Sequence, residues 1–376
     1  MCQKYVSHFN KKDMSNEEVV KRACEQLMME YENPKQDWHV AYQRYKQKLK
    51  ANKDLFINAS AVLKKYLGKT KMGPIRIYSS ISMAQQSPIA FDLRVFGQSV
   101  ATLKVKKDKL FLIIEEGNKK HPTHNKEYFG IETPAGCYSW DSDIAQSMFS
   151  MFSNINSAST HSKEHKLETL VLSDLAKEHK KDGKKLTYIR PVILSGKGFF
   201  QMKTPFSASD HNVKDYPVYS MRDNGAANGG GIDILARVAH NDGSWRLAVI
   251  ELKDENKKGE SQPIVMQQAL AYATFVAHLL RDRNCGDFWW NIFRNQDDEK
   301  ALDENKELKI DVVTMMPPIP VDKNQKPIYN EGDMQPIKVP GVPNVTLYPS
   351  TIYIDADLED SRINKVYGTL IDEKKQ

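Results

Sequence analysis

Apolar positions recur every three to four residues from Asn16 onward, where Val19, Val20, Ala23, Leu27 and Met28 share one face of a helix. Ser15 precedes this run and Glu18 stands three residues after it, the pattern of a capping box that sets the helix start. The helical spacing returns through Trp38, Ala41, Tyr42 and Tyr45, and again over residues 59–66, which Gly68 ends. The period then falls to two. Residues 75–79, 91–96, 99–105 and 110–114 read as strands, with turns at Gly97 and at Lys107-Asp108-Lys109, so an antiparallel meander is expected. A polar stretch with His121, Pro122, His124 and Asn125 follows and reads as a solvated loop, because the two histidines have no further ligands at metal-binding spacing.

Small polar residues dominate 150–160, a composition that suits a linker and places a domain boundary near residue 155. The expected organisation is an N-terminal domain, residues 1–155, of helices and antiparallel strands, and a second domain over 156–376. The second part alternates element types. An amphipathic helix over 161–180 carries Leu167, Leu170, Val171 and Leu175 and stops at Gly183. Strands are expected at 188–194 and 199–203, then a polar loop over 207–230, strands at 232–239 and 245–253, a helix over 264–281, and strands at 310–315 and 351–354. This order predicts an α/β fold. Trp289 and Trp290 read as core residues rather than a platform for stacking bases.

The candidate chemistry lies on two adjoining strands. In Gly231-Ile232-Asp233-Ile234-Leu235-Ala236 the apolar side chains of Ile232, Ile234 and Ala236 share one face and Asp233 takes the other. In Leu247-Ala248-Val249-Ile250-Glu251-Leu252-Lys253 an apolar run ends with Glu251 and Lys253 on one face and Leu252 on the opposite one. Asn241-Asp242-Gly243-Ser244 between them is a turn signal, so a hairpin is expected. Its register decides the site. A two-residue loop at Asp242-Gly243 sets Asp233 opposite Leu252, on the wrong face; a loop over Asp242 to Ser244 sets it opposite Lys253; one centred a residue earlier sets it opposite Glu251. Either odd-length loop gathers two carboxylates and an ammonium. Two carboxylates offer hard oxygen ligands for Mg²⁺, which needs few protein ligands and keeps its waters. A neighbouring lysine can orient attacking water and offset transition-state charge.

Asp233, a gap of 17 residues and then Glu251-Leu252-Lys253 resemble the D…(D/E)XK signature of the PD-(D/E)XK, restriction-endonuclease-like nucleases, with Ile232 where the motif name has proline. Gln268-Ala269-Leu270-Ala271-Tyr272 is similar to the QxxxY element of the RecB-like and lambda-exonuclease-like branches, with Gln267 as an alternative for the glutamine. The resemblance covers residues 160–316. It implies a mixed central sheet flanked by helices, and phosphodiester hydrolysis with Mg²⁺ or Mn²⁺. It assigns metal binding to Asp233 and Glu251, water positioning to Lys253, and support of the site or substrate contact to Gln268 and Tyr272. It also implies an acidic residue on the upstream helix, Glu168 with Glu164 as its rival, as a further metal ligand. Lys203, late in the preceding strand, is a candidate phosphate contact. The expected partner is nucleic acid, DNA before RNA, with the lysine run Lys104, Lys106, Lys107 and Lys109 as a candidate phosphate contact in the first domain. The competing reading is a non-catalytic nucleic-acid-binding or scaffold module on the same fold.

Composition changes this picture little. The chain has 376 residues, 40% hydrophobic and 27% charged, with net charge +6, which is compatible with a polyanionic partner without requiring one. Cys2, Cys24, Cys137 and Cys285 form no CxxC pair, which argues against a zinc ribbon or a disulfide framework and for a reducing, cytoplasmic setting. No apolar run was expected to reach membrane-spanning length, no secretory leader is read at Met1-Cys2-Gln3-Lys4, and no membrane partner is expected. Oligomeric state is left open, a dimer included.

Overall fold

A computed structural model describes residues 15–32, 53–81, 90–115, 124–156, 163–177, 183–194, 198–204, 231–253, 262–283, 286–293, 302–303, 305–318, 334–368 and 370. The helix expected around Trp38 to Tyr45, His121, the loop over 207–230 and the side chain of Lys203 lie outside the described residues.

The elements are helices α1 (Asn16–Glu32) and α2 (Lys53–Leu67), strands β1 (Ile75–Ile81), β2 (Ala90–Val95), β3 (Gln98–Lys106) and β4 (Lys109–Ile114), helix α3 (His124–Phe129), strand β5 (Gly136–Ser139), and helices α4 (Asp143–Ser153) and α5 (Lys163–Leu175). Then follow strands β6 (Ile189–Pro191), β7 (Ile193–Leu194), β8 (Gly198–Lys203), β9 (Gly231–Ile232), β10 (Ile234–Ala239) and β11 (Trp245–Leu252), helices α6 (Gln262–Leu280) and α7 (Gly286–Phe293), and strands β12 (Leu308–Met316), β13 (Ile337–Lys338), β14 (Val345–Asp357) and β15 (Arg362–Gly368). The α/β class is as expected. The strands form two mixed sheets. The first runs β5-β4-β3-β2-β1-β8-β7 with β9 on β8, and the second β13-β14-β12-β11-β10-β6 with β15 on β14.

Local signals set several of these elements. Ser15 Oγ accepts the Glu18 N–H at 3.2 Å, so the cap at the start of α1 forms. Glu18 turns its own side chain to Arg22 at 3.0 Å instead of back to the cap. The meander β1 to β4 is antiparallel throughout. The stretch containing His124 is not wholly a loop: His124 opens α3, and buried Asn125 donates to the Val100 carbonyl at 2.9 Å, tying α3 to β3.

The linker expected near residue 155 does not separate the two sheets. β1 pairs in parallel with β8, Ile77 opposite Gly198, so the first sheet draws strands from both sides of that point. α1, from the start of the chain, packs against α6. The larger apolar core accordingly joins Val19 and Leu63 to Leu235, Val249 and Phe275.

The second sheet is covered on both sides. Leu235, Leu247, Val249 and Ile310 belong to the core shared with α6, whereas Ile234, Ala236, Ala248, Ile250 and Val313 pack with Leu167, Val171 and Leu172 of α5. This double coverage explains why β11 and β12 are nearly continuous apolar runs. It also explains α6, which is apolar all round and buried at most positions. Contrary to the expectation from sequence, α6 is long and apolar enough to cross a membrane, with a mean hydropathy of 1.2 over its window, but 78% of that window is buried inside the protein. It is a core helix. Trp289 is fully buried and packs against Phe293 at 5.7 Å, and Trp290 is partly buried against the same core.

Candidate active site

The β10–β11 hairpin adopts the register with Asp233 at the level of Glu251. Ile234 pairs with Ile250 and Ala239 with Trp245, so the turn is centred on Asp242. Gly243 has φ +79°, and its N–H reaches the His240 carbonyl at 3.0 Å while His240 N–H reaches Ser244 at 2.9 Å. Asp242 Oδ1 accepts the Ser244 N–H at 2.9 Å and closes the loop. The closed loop is therefore the odd-length one over residues 241–243, the form with glycine in the left-handed region. A break between β9 and β10 falls at Asp233 and lets its Oδ2 accept the Leu252 N–H at 2.8 Å.

Around this hairpin end Asp233, Glu251, Lys253, Glu164 and Gln268 converge. Lys253 Nζ lies 3.3 Å from Glu251 Oε1 and 2.9 Å from Glu164 Oε1. Gln268, on α6, donates its side-chain N–H to the same Glu251 oxygen. The Glu251 carboxyl lies close enough to Asp233 to feel its charge. Glu251 is 1% exposed, and its second oxygen, Oε2, is buried without a donor. Glu168 is also buried, its Oε1 likewise has no donor, and it feels the charge of Asp233. Of the two rival acids on α5, Glu164 thus takes the lysine and Glu168 is the buried one. Tyr272, one turn beyond Gln268, is 1% exposed within the larger apolar core.

Electrostatics follow from this crowding. Burial and then the charge of Asp233 push the Glu251 carboxyl well above the usual carboxylate range. Burial likewise raises Asp233 to about 6, against the opposing pull of Lys253 and the Leu252 N–H. Burial and Asp233 raise Glu168 to about 7. Burial disfavours the Lys253 ammonium, but the carboxylates of Glu251, Asp233 and Glu164 outweigh it and hold the proton more firmly than usual. Removing an ion from water costs on the order of several kcal/mol, so carboxylates gathered around one lysine favour a further cation.

Two residues that the sequence reading passed over border the site. Tyr78 of β1 is fully buried and sets its hydroxyl against the Glu168 carboxyl. The Arg94 guanidinium of β2 stacks over the Tyr78 ring at 4.4 Å, binds Asp92 at 2.6 Å and acts on Glu168. Their alternation in β1 and β2 shows that they leave the apolar face, but no local pattern shows that this face meets α5.

Among the described residues no three His, Cys, Asp or Glu side chains form a ready metal cage. The donors that fit a divalent cation are the Asp233–Glu251 pair, with the undonated Glu251 Oε2, and Glu168 beside them. Compared with protein-family models, with curated proteins and with solved structures, the chain gives no match.

Proposed function

We propose that the protein is a divalent-metal-dependent nuclease of the PD-(D/E)XK kind, hydrolysing phosphodiester bonds in DNA. One observation carries this reading: Asp233, Glu251, Lys253 and Gln268 meet at the end of one hairpin, with a buried carboxylate oxygen left without a donor. The restriction-endonuclease-like description of the fold belongs to the same proposal, supported by a mixed second sheet between α5 and α6.

Asp233 and Glu251 would hold Mg²⁺ or Mn²⁺, with Glu168 as the additional carboxylate. Bound there, the ion supplies Lewis-acid polarisation of a phosphate oxygen and acidifies water. The protein's own groups do the rest. The Leu252 N–H fixes the orientation of Asp233. Gln268 and Lys253 both engage Glu251 Oε1, so Oε2 is the oxygen that would be free to hold the ion. Lys253, kept protonated by three carboxylates, donates hydrogen bonds to the attacking water and to the phosphate, and offsets charge as it builds. The water oxygen bonds to phosphorus as one of its protons passes to solvent, the ester P–O bond breaks, and the departing oxygen takes a proton from solvent to leave as the alcohol.

The test is cleavage of circular and linear duplex DNA, single-stranded DNA and RNA in Mg²⁺, Mn²⁺ or EDTA. Cutting should require metal, and Asp233→Ala and Lys253→Ala should each lower it by at least about 10²-fold. Absence of cutting on every substrate, with wild type equal to the variants, would overturn the proposal in favour of a binding module.

A further inference from the structure

The first sheet has one apolar face, buried in the larger core; its other face is covered by α5 at Arg76 and Tyr78 of β1 and open to solvent at β3 and β4. On that second face, backbone register lines up Gln201 of β8, position 80 of β1, Ala90 of β2, Lys104 of β3, Phe111 of β4 and Ser139 of β5 as one row. Lys106 and Lys109 form the next pair beyond Lys104 on the same side, and Lys106 lies 5.2 Å over the half-buried Phe111 ring. This row ends beside the proposed site. Lys203, two residues past Gln201, pairs with Gly231, two residues before Asp233. At about 4.8 Å per strand, Lys104 stands three strands from β8, roughly 14 Å away, and Phe111 roughly 19 Å away.

The charge of this face is one-sided. Arg94, Lys104, Lys106 and Lys109 face solvent wholly or in part, and among the described residues the three lysines are in no ion pair. The one carboxylate between them, Asp92, is taken up by Arg94 at 2.6 Å and by the Ser99 hydroxyl. Asp108 and Glu115 lie beyond the two ends of β4. Cations interleaved with half-exposed Phe111 and Ile113 suit a strand whose phosphates and base faces are both available. A duplex hides its base faces and would use the cations alone.

We propose that this open face is a track for a single strand of DNA leading into the Asp233–Glu251 site. It rests on the phosphodiesterase reading of that site. The test uses the full chain and a labelled 30-nucleotide oligodeoxythymidine, with binding followed against salt in EDTA. The combined variant Lys104→Ala, Lys106→Ala, Lys109→Ala should flatten the slope of log affinity against log salt by about 2, since each phosphate contact on a single strand contributes about 0.7. Phe111→Leu, which keeps an apolar side chain, should weaken strand binding about fivefold or more and leave duplex binding unchanged. In parallel, Mg²⁺-dependent hydrolysis of bis(4-nitrophenyl) phosphate, too small to reach β3, should persist in the lysine variant and vanish in Asp233→Asn. A flattened slope supports the track whether or not the small diester is cut; failure of that hydrolysis in wild type would strike the site reading alone. An unchanged slope, or equal loss of duplex binding in Phe111→Leu, overturns the track.

Discussion

The two ends of helix α5 treat buried acids in opposite ways. Near its C-terminal end Asp174 is 3% exposed, and the fold meets it with donors: Lys185 N–H at 2.9 Å, Leu186 N–H at 2.8 Å and Lys177 Nζ at 3.3 Å. A carboxylate there opposes the helix dipole, so those donors are what keep it in place. Toward the other end, Glu168 is nearly as buried but has an oxygen with no donor, and across from it Glu251 has another. Burial alone therefore does not mark a functional acid. Asp174 finds its partners within its own fold, whereas Glu168 and Glu251 each keep an oxygen without one, which is the feature the proposed metal site would use.

The largest effect that sharpens this contrast is on activity and stability together. Glu251→Gln should abolish metal-dependent cutting, by about 10³-fold, yet leave the melting temperature in EDTA little changed, because burial already favours the neutral form of the Glu251 carboxyl. Asp174→Ala should do the reverse. It strands the Lys185 and Leu186 N–H groups and should cost about 2–4 kcal/mol in denaturant unfolding, with residual activity per folded molecule unchanged. A stable Asp174→Ala variant would break the comparison.

A smaller effect is the response to metal and pH. Asp233 and Glu168 sit above the ordinary carboxylate values near 4, at about 6 and about 7, so the folded state keeps protons that the unfolded chain gives up. In EDTA this contribution to stability is full below about pH 4 and is lost as pH rises through 6 to 7. Mg²⁺ needs the deprotonated acids, so its stabilisation should grow over the same range. At tenfold over its Kd it should reach about 1.4 kcal/mol, read as a thermal shift absent in Asp233→Asn. A shift that is independent of pH would count against these acids as ligands. Smallest of all, Lys177→Ala removes a partly exposed partner of Asp174 and should cost under about 1 kcal/mol by the same unfolding measurement.

Local pattern carried much of this molecule. Ser15 announced the start of α1, the alternation in residues 75–114 announced the meander, and the two-residue spacing of Glu251 and Lys253 put them on one face. Asn241-Asp242-Gly243-Ser244 narrowed the hairpin to a few registers, because turn chemistry is local. The choice among them needed the closed loop itself. What no local signal contained is which distant surfaces meet. The parallel pairing of β1 with β8 carries the meander across the boundary expected near residue 155 and brings Tyr78 and Arg94 to Glu168. The same assembly hides α6, whose composition alone would also suit a membrane. Period and turn type depend on neighbours in the chain, so they can be read along it. Pairing between strands more than a hundred residues apart, and the charge balance of a buried pocket, depend on which faces the whole core brings together, and only the folded protein decides that.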